Sequence, residues 1–193
     1  FLTRPKPSKR VTLTDASGSG APEPAVGTHR YRKGSTITVS CGATPYPSDN
    51  PASGTRFVCD GFTASGSNLP VASSATSVTF KLTTDTTITW LWQTQHKLTV
   101  DIQPAGVGSV SFSPLGDNGY FDEGTDVAVT ATASDPNYAF VRWDGAGGGS
   151  QDNPITITMD APKTLIAVFI EKLRITTDAL PDASEDMAYE FTL

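Results

Sequence analysis

The sequence predicts an all-β protein built from two tandem small β-sheet units, with little or no helix. Three observations carry this. Short apolar runs alternate with polar residues, as in half-buried strands: Ile37, Val39 and Cys41 around Thr38 and Ser40, then Val78, Phe80 and Leu82, then Ile88, Trp90 and Trp92. The 193 residues include 17 Gly and 14 Pro, which punctuate every long stretch and leave no run with good helical spacing. Finally, the same landmarks come twice in the same order.

In order along the chain, residues 1–10 carry Arg4, Lys6, Lys9 and Arg10 with two prolines, and read as an extended basic leader. A first unit is expected over 11–96. Val11 to Thr14 form its opening strand and Ala16 to Gly27 a loop. Tyr31-Arg-Lys-Gly34 turns the chain into a strand over Thr36–Cys41. Residues 42–54 are loop, Thr55 to Asp60 a strand that ends at Gly61-Phe62, and 66–75 loop again. Two alternating strands around Phe80 and Trp90 complete the unit.

A second unit is expected over 97–170. Lys97 to Ile102 repeats the opening strand, and Pro104 to Gly108 make a hairpin turn into Ser109–Phe112. Phe121-Asp-Glu-Gly124 repeats Tyr31-Arg-Lys-Gly34, and Tyr138-x-Phe140-x-x-Trp143 repeats Phe57-x-Cys59-x-x-Phe62. Val78 to Trp92 lies on Ile155 to Phe169 without a gap. The join, Gln93-Thr-Gln-His96, has no Gly or Pro, so the units are expected in a fixed relation. Residues 171–193 do not repeat the pattern and read as a partial β segment of a following domain or a donated strand.

Composition narrows the function. A net charge of −6 argues against a nucleic-acid partner. No apolar run approaches the ~20 residues of a bilayer span, so no membrane insertion is expected. The chain opens on Phe1 rather than Met and shows no signal peptide, so it reads as a processed product or part of something longer. Two Cys and two His exclude a Cys-rich zinc site and leave little for acid–base work. No nucleophile–base constellation and no phosphate loop is present, so no catalytic residue and no cofactor is assigned.

The remaining candidates each have a plain reading beside the sharper one. Asp117, Asn118, Asp122 and Asp126 bring oxygen ligands together as a calcium candidate, although Asp-Asn-Gly is also what a turn requires. Trp90, Trp92 and Trp143 could make a sugar-stacking platform. They read instead as core, together with Phe57, Phe62, Tyr138, Phe140 and Phe169, because the repeat places apolar residues at the matching positions.

In residues 97–170 the landmarks Phe121-x-x-Gly-Thr, Tyr138-x-Phe-x-x-Trp-x-Gly and Ile155-Thr-Ile-Thr-Met-Asp followed by Lys163-x-Leu-x-Ala-x-Phe resemble the divergent internalin-type B-repeat family. Residues 11–96 resemble a longer relative of the same module, and Ile175-Thr-Thr-Asp-Ala-Leu-Pro resembles the opening of a bacterial immunoglobulin-like domain. The resemblance implies β-grasp-like units, with an Ig-like sandwich as the other way to close them. It further implies secretion to a bacterial cell surface, and a non-catalytic structural or adhesive role in a surface protein, stalk or filament, with assembly by strand addition as a variant. The partners implied are neighbouring domains or copies of the same protein, a host or matrix protein, or a polysaccharide. The alternative is a carbohydrate-binding accessory module of a secreted multidomain enzyme. An exported setting also favours a Cys41–Cys59 disulfide over two buried thiols; closing that loop would stabilise by roughly 3 kcal/mol.

Overall fold

The computed structural model describes residues 7–15, 20–48 and 53–174. Strand is their dominant regular structure and no α-helix occurs among them, so the all-β expectation holds and the helix of a β-grasp is absent among them.

The first half contains β1 (Ser8–Asp15), β2 (Gly27–Arg32), β3 (Thr36–Ser40), β4 (Tyr46–Pro47), β5 (Thr55–Ser65), β6 (Ala72–Ser73) and β7 (Ser77–Lys81). Then comes β8 (Thr86–Gln103), a single strand of 18 residues. The second half contains β9 (Gly108–Ser113), β10 (Tyr120–Asp122), β11 (Asp126–Ala133), β12 (Tyr138–Gly145), β13 (Ile155–Thr158) and β14 (Lys163–Glu171).

Each half packs two sheets face to face over its own core. In the first, β5 runs antiparallel and β1 parallel to the opening part of β8, with β2 outside β1. The β3–β7 ribbon covers their inner face, pairing Ile37 with Phe80 and Val39 with Val78. In the second, β12 and the closing part of β8 flank β14, antiparallel and parallel respectively, and the β13–β11–β9 sheet covers them. There Val127 pairs with Ile157 and Val129 with Ile155.

The two halves share finer features. The register slips between Cys59 and Gly61 in β5, and between Phe140 and Arg142 in β12. This one-residue bulge keeps Phe62 and Trp143 on the core side. Gly34 and Gly124 take φ of +89° and +82°, which a side chain would resist. Their N–H groups donate to the Leu82 and Met159 carbonyls at 2.7 and 2.9 Å. Leu82 and Met159 donate back to the Ser35 and Thr125 carbonyls, both at 2.9 Å.

The cores form around the aromatics. Val11, Leu13, Val39, Phe62, Leu82, Ile88 and Trp90 are fully buried in the first, and Val127, Val129, Trp143, Met159, Leu165 and Phe169 in the second. Phe62 meets Trp90 edge-on at 5.4 Å, and Phe140 meets Trp143 at 5.1 Å and Phe169 at 5.8 Å. Burying one such side chain contributes about 1.5–3 kcal/mol.

Several expectations are corrected. The leader is not extended up to residue 10, because Ser8–Arg10 belong to β1 and pair with Arg30–Arg32. The loop and turn expected before Gly34 contain β2, an edge strand whose Gly-Thr-His-Arg-Tyr-Arg sequence lacks aliphatic residues. The strand at Thr55 does not end at Gly61-Phe62 but passes through its bulge to Ser65. Gln93–His96, expected as the join, is the middle of β8. β9 is not a hairpin partner of β8; it crosses to pair with β11.

The expected disulfide is not formed. Cys41 and Cys59 are both buried and free, and they do not lie at disulfide distance. Burial first, and then the hydrogen bond to Cys59, push the Cys41 thiol up to about 12. The expected partial domain over 171–193 lies outside the described residues, apart from the end of β14 and residues 172–174.

Candidate functional site

The region where the two halves meet is built on the centre of β8. Residues Gln93–Lys97 are polar and contain no breaker, so the strand crosses from one half to the other unbroken. Both of its edges are occupied there. His96 faces Thr55 of β5 on one side and Phe121 of β10 on the other.

The backbone ties are regular. Glu123 N–H donates to the Thr94 carbonyl at 2.9 Å, Lys97 N–H to that of Gly54 at 2.8 Å and Leu98 N–H to that of Gly119 at 2.8 Å. Gly54 also lies against Pro162: a Cβ there would stand 3.1 Å from the proline ring.

Over this frame Arg56 reaches from the first half to the second. Its Nε donates to Gln95 Oε1 at 2.8 Å, and its Nη2 to Asp117 Oδ2 at 2.6 Å. The guanidinium lies 4.1 Å above the centre of the Tyr120 ring. Gln95 extends the network by donating to Asp122 Oδ1 at 2.8 Å. The Arg56 side chain is only 12% exposed while Asp117 is 65% exposed, so water screens the acid end and that ion pair is worth about 1 kcal/mol or less. His96 is buried beneath, with Nδ1 3.2 Å from Thr55 Oγ1.

Each acidic residue proposed for calcium has a partner within the protein. Asp117 binds Arg56, Asp122 accepts from Gln95, and Asp126 accepts from the Thr158 hydroxyl. Asn118 takes φ of +53° in the Asp-Asn-Gly turn and donates to Asp117. No group of three or more metal-binding side chains occurs among the described residues. Two of these acids instead anchor the junction.

The three tryptophans do not form a platform. Trp90 and Trp143 are fully buried in separate cores, and the Trp143 indole donates to the Asp152 carbonyl at 3.0 Å. Trp92 is half-buried, with Tyr46 edge-on at 6.5 Å and the Gly20 backbone against its ring. Phe57 and Tyr138 are also half-buried.

Sequence reasoning missed Arg56, Gln95 and Tyr120. One signal was available: Arg56 is the single Lys or Arg between Lys33 and Lys81. A shallow recess of about 200 Å³ bounded by Pro45, Pro47, Thr55, Arg56 and Tyr120 opens beside this network.

The second half, with its bulged aromatic strand and its glycine turn, is the part that known families account for. Residues 98–172 match the family model of the divergent InlB B-repeat domain. No curated protein and no solved structure matches the chain. The B-repeat match spans β9 to β14 and the closing part of β8, and stops short of the first half. The InlB B-repeat family is found on bacterial surface proteins, and this domain fits a module of one.

Proposed function

We propose that the chain is a non-catalytic structural and adhesive segment of a bacterial extracellular surface protein, in which two units of B-repeat type are joined in a fixed relation. One observation carries the reading: β8 serves as the last strand of the first unit and the first strand of the second without interruption. A linker would let the units reorient. A shared strand, clamped on both edges and crossed by the Arg56 network, does not. The repeated bulge, register and glycine turn support reading the first half as a diverged copy of the second.

The test is a distance distribution between spin labels at Thr38 and Thr156, one in each unit. The reading expects one narrow distribution. Inserting Gly-Gly-Ser after Thr94 should broaden it. A broad distribution in the parent chain would remove the proposal.

Assembly by strand addition is the finer variant. β2 pairs with β1 alone among the described residues, which leaves it a sheet edge for an incoming strand. Concentration-dependent assembly that survives deletion of residues 171–193 would eliminate those residues as the donor.

A further inference from the structure

The outer face of the first unit carries a surface that the second unit lacks. On the β2–β1–β8–β5 sheet, residues Thr28, Thr12, Thr87 and Ser65 stand in one cross-strand row. Thr14, Thr89 and Thr63 stand in the next. Neighbouring hydroxyls touch: Thr14 to Thr89 at 2.7 Å and Thr12 to Thr28 at 3.2 Å. Two residues along the strands, Arg10 and Arg30 pair directly, with exposed Arg32 beyond them opposite Ser8.

Like charges facing across an antiparallel ladder destabilise it. Only Arg10 has a carboxylate, Asp85, at 3.4 Å; Arg30 and Arg32 form no ion pair among the described residues. Folding alone does not call for this. In the second unit, the positions of Thr14 and Thr63 hold Asp101 and Asp144, and the position of Thr89 holds Ile166. The turn that reads Arg32-Lys33 in the first unit reads Asp122-Glu123 in the second.

We infer that this face binds an anionic polysaccharide. Arginine forks match planar carboxylate and sulfate groups through paired N–H donors. Threonine and serine hydroxyls both donate and accept, as sugar hydroxyls do. Strands stand about 4.8 Å apart and alternate residues about 6.7 Å apart, so the groups form a regular grid. An extended glycan lying on it would set its acid groups on Arg30 and Arg32 and its neutral hydroxyls on the threonine rows. Val71, 81% exposed beside Thr63, borders the far side of the grid in a shallow recess of about 200 Å³. A glycan-binding face goes beyond the fixed relation of the two units and is independent of its distance measurement.

The test is a titration of the intact chain at low salt with dextran sulfate, polygalacturonate, neutral dextran and polyphosphate. Binding is expected to at least one of the two charged glycans, weakening as salt rises, and not to neutral dextran. Which charged glycan binds identifies sulfate or carboxylate as the group read. Arg30→Ala with Arg32→Ala should weaken that binding by about tenfold or more. Thr12→Val with Thr87→Val should weaken the glycan severalfold and leave polyphosphate unchanged. The arginine variant should also melt no lower than the parent, since it removes a repulsion, so lost binding cannot be assigned to unfolding. Failure of both charged glycans to bind overturns the proposal. So does binding that survives the arginine substitutions, or a threonine variant that binds every polyanion as the parent does.

Discussion

The two entry turns, Tyr31–Gly34 and Phe121–Gly124, share a backbone and differ in charge. In each, a glycine at positive φ donates to the carbonyl of the residue just past the partner of the strand it enters, Leu82 after β7 or Met159 after β13. In each, the residue before the glycine donates to the strand alongside: Lys33 to the Pro7 carbonyl and Glu123 to that of Thr94, both at 2.9 Å. Yet one turn presents Arg-Lys and the other Asp-Glu. The comparison separates two demands. Hydrogen-bond geometry and a buried aliphatic side chain determine the turn, whereas its outward side chains answer to what lies beside them. In the second unit that neighbour is the first unit, and Asp122 meets Gln95 there.

The largest effects are expected in the cores. Trp90→Ala and Trp143→Ala each empty the centre of one unit and should cost about 3–5 kcal/mol. If the shared strand couples the units, calorimetry of either variant will show one lowered transition. Two transitions, with only one lowered, would mean that the units melt independently.

Smaller effects sharpen the equivalence of the turns. Gly34→Ala and Gly124→Ala meet no atom within 4 Å, so only their φ of +89° and +82° opposes the change. Each should cost about 1–2 kcal/mol in urea unfolding, and the two costs should agree. Unequal costs would refute a common backbone role. Arg56→Ala should cost about 1 kcal/mol and broaden the spin-label distribution, because it removes the side-chain bridge while leaving β8 intact.

The smallest effects lie at the pH extremes. The Arg10 backbone N–H holds Asp85 below the usual carboxylate range. A lowered folded value stabilises above the ordinary range and loses that contribution as pH falls, so Asp85→Asn should flatten the acid limb of a melting-temperature profile slightly. Cys41 has the opposite sign. Raised to about 12, it stabilises below the ordinary thiol range and loses this as pH climbs through that value. An alkylating reagent at neutral pH should therefore label Cys41 only after unfolding.

The sequence revealed what alternation and repetition encode: the strand class, the doubled pattern and the aromatics that became two cores. It concealed β2, because an edge strand with Arg30 and Arg32 outward needs few apolar residues to be held. The continuity of β8 was hidden for a related reason. Gln93 to His96 look like a linker, since their edges are filled by backbone partners from β5 and β10 that no local pattern announces. Pairing of Cys41 with Cys59 depends on how two side chains point, which strand assignment alone does not decide.

The parallel pairing of β1 with β8, and of β8 with β14, has a consequence for a tethered molecule under tension. Pulling at Ser8 and at Glu171 draws β1 and β14 along the axis of β8 rather than peeling them from its side. The ladder bonds of each pair then carry the force together, and most of them must rupture at once before either unit lengthens. A chain held at those two ends would keep its length up to a threshold load and then lengthen abruptly.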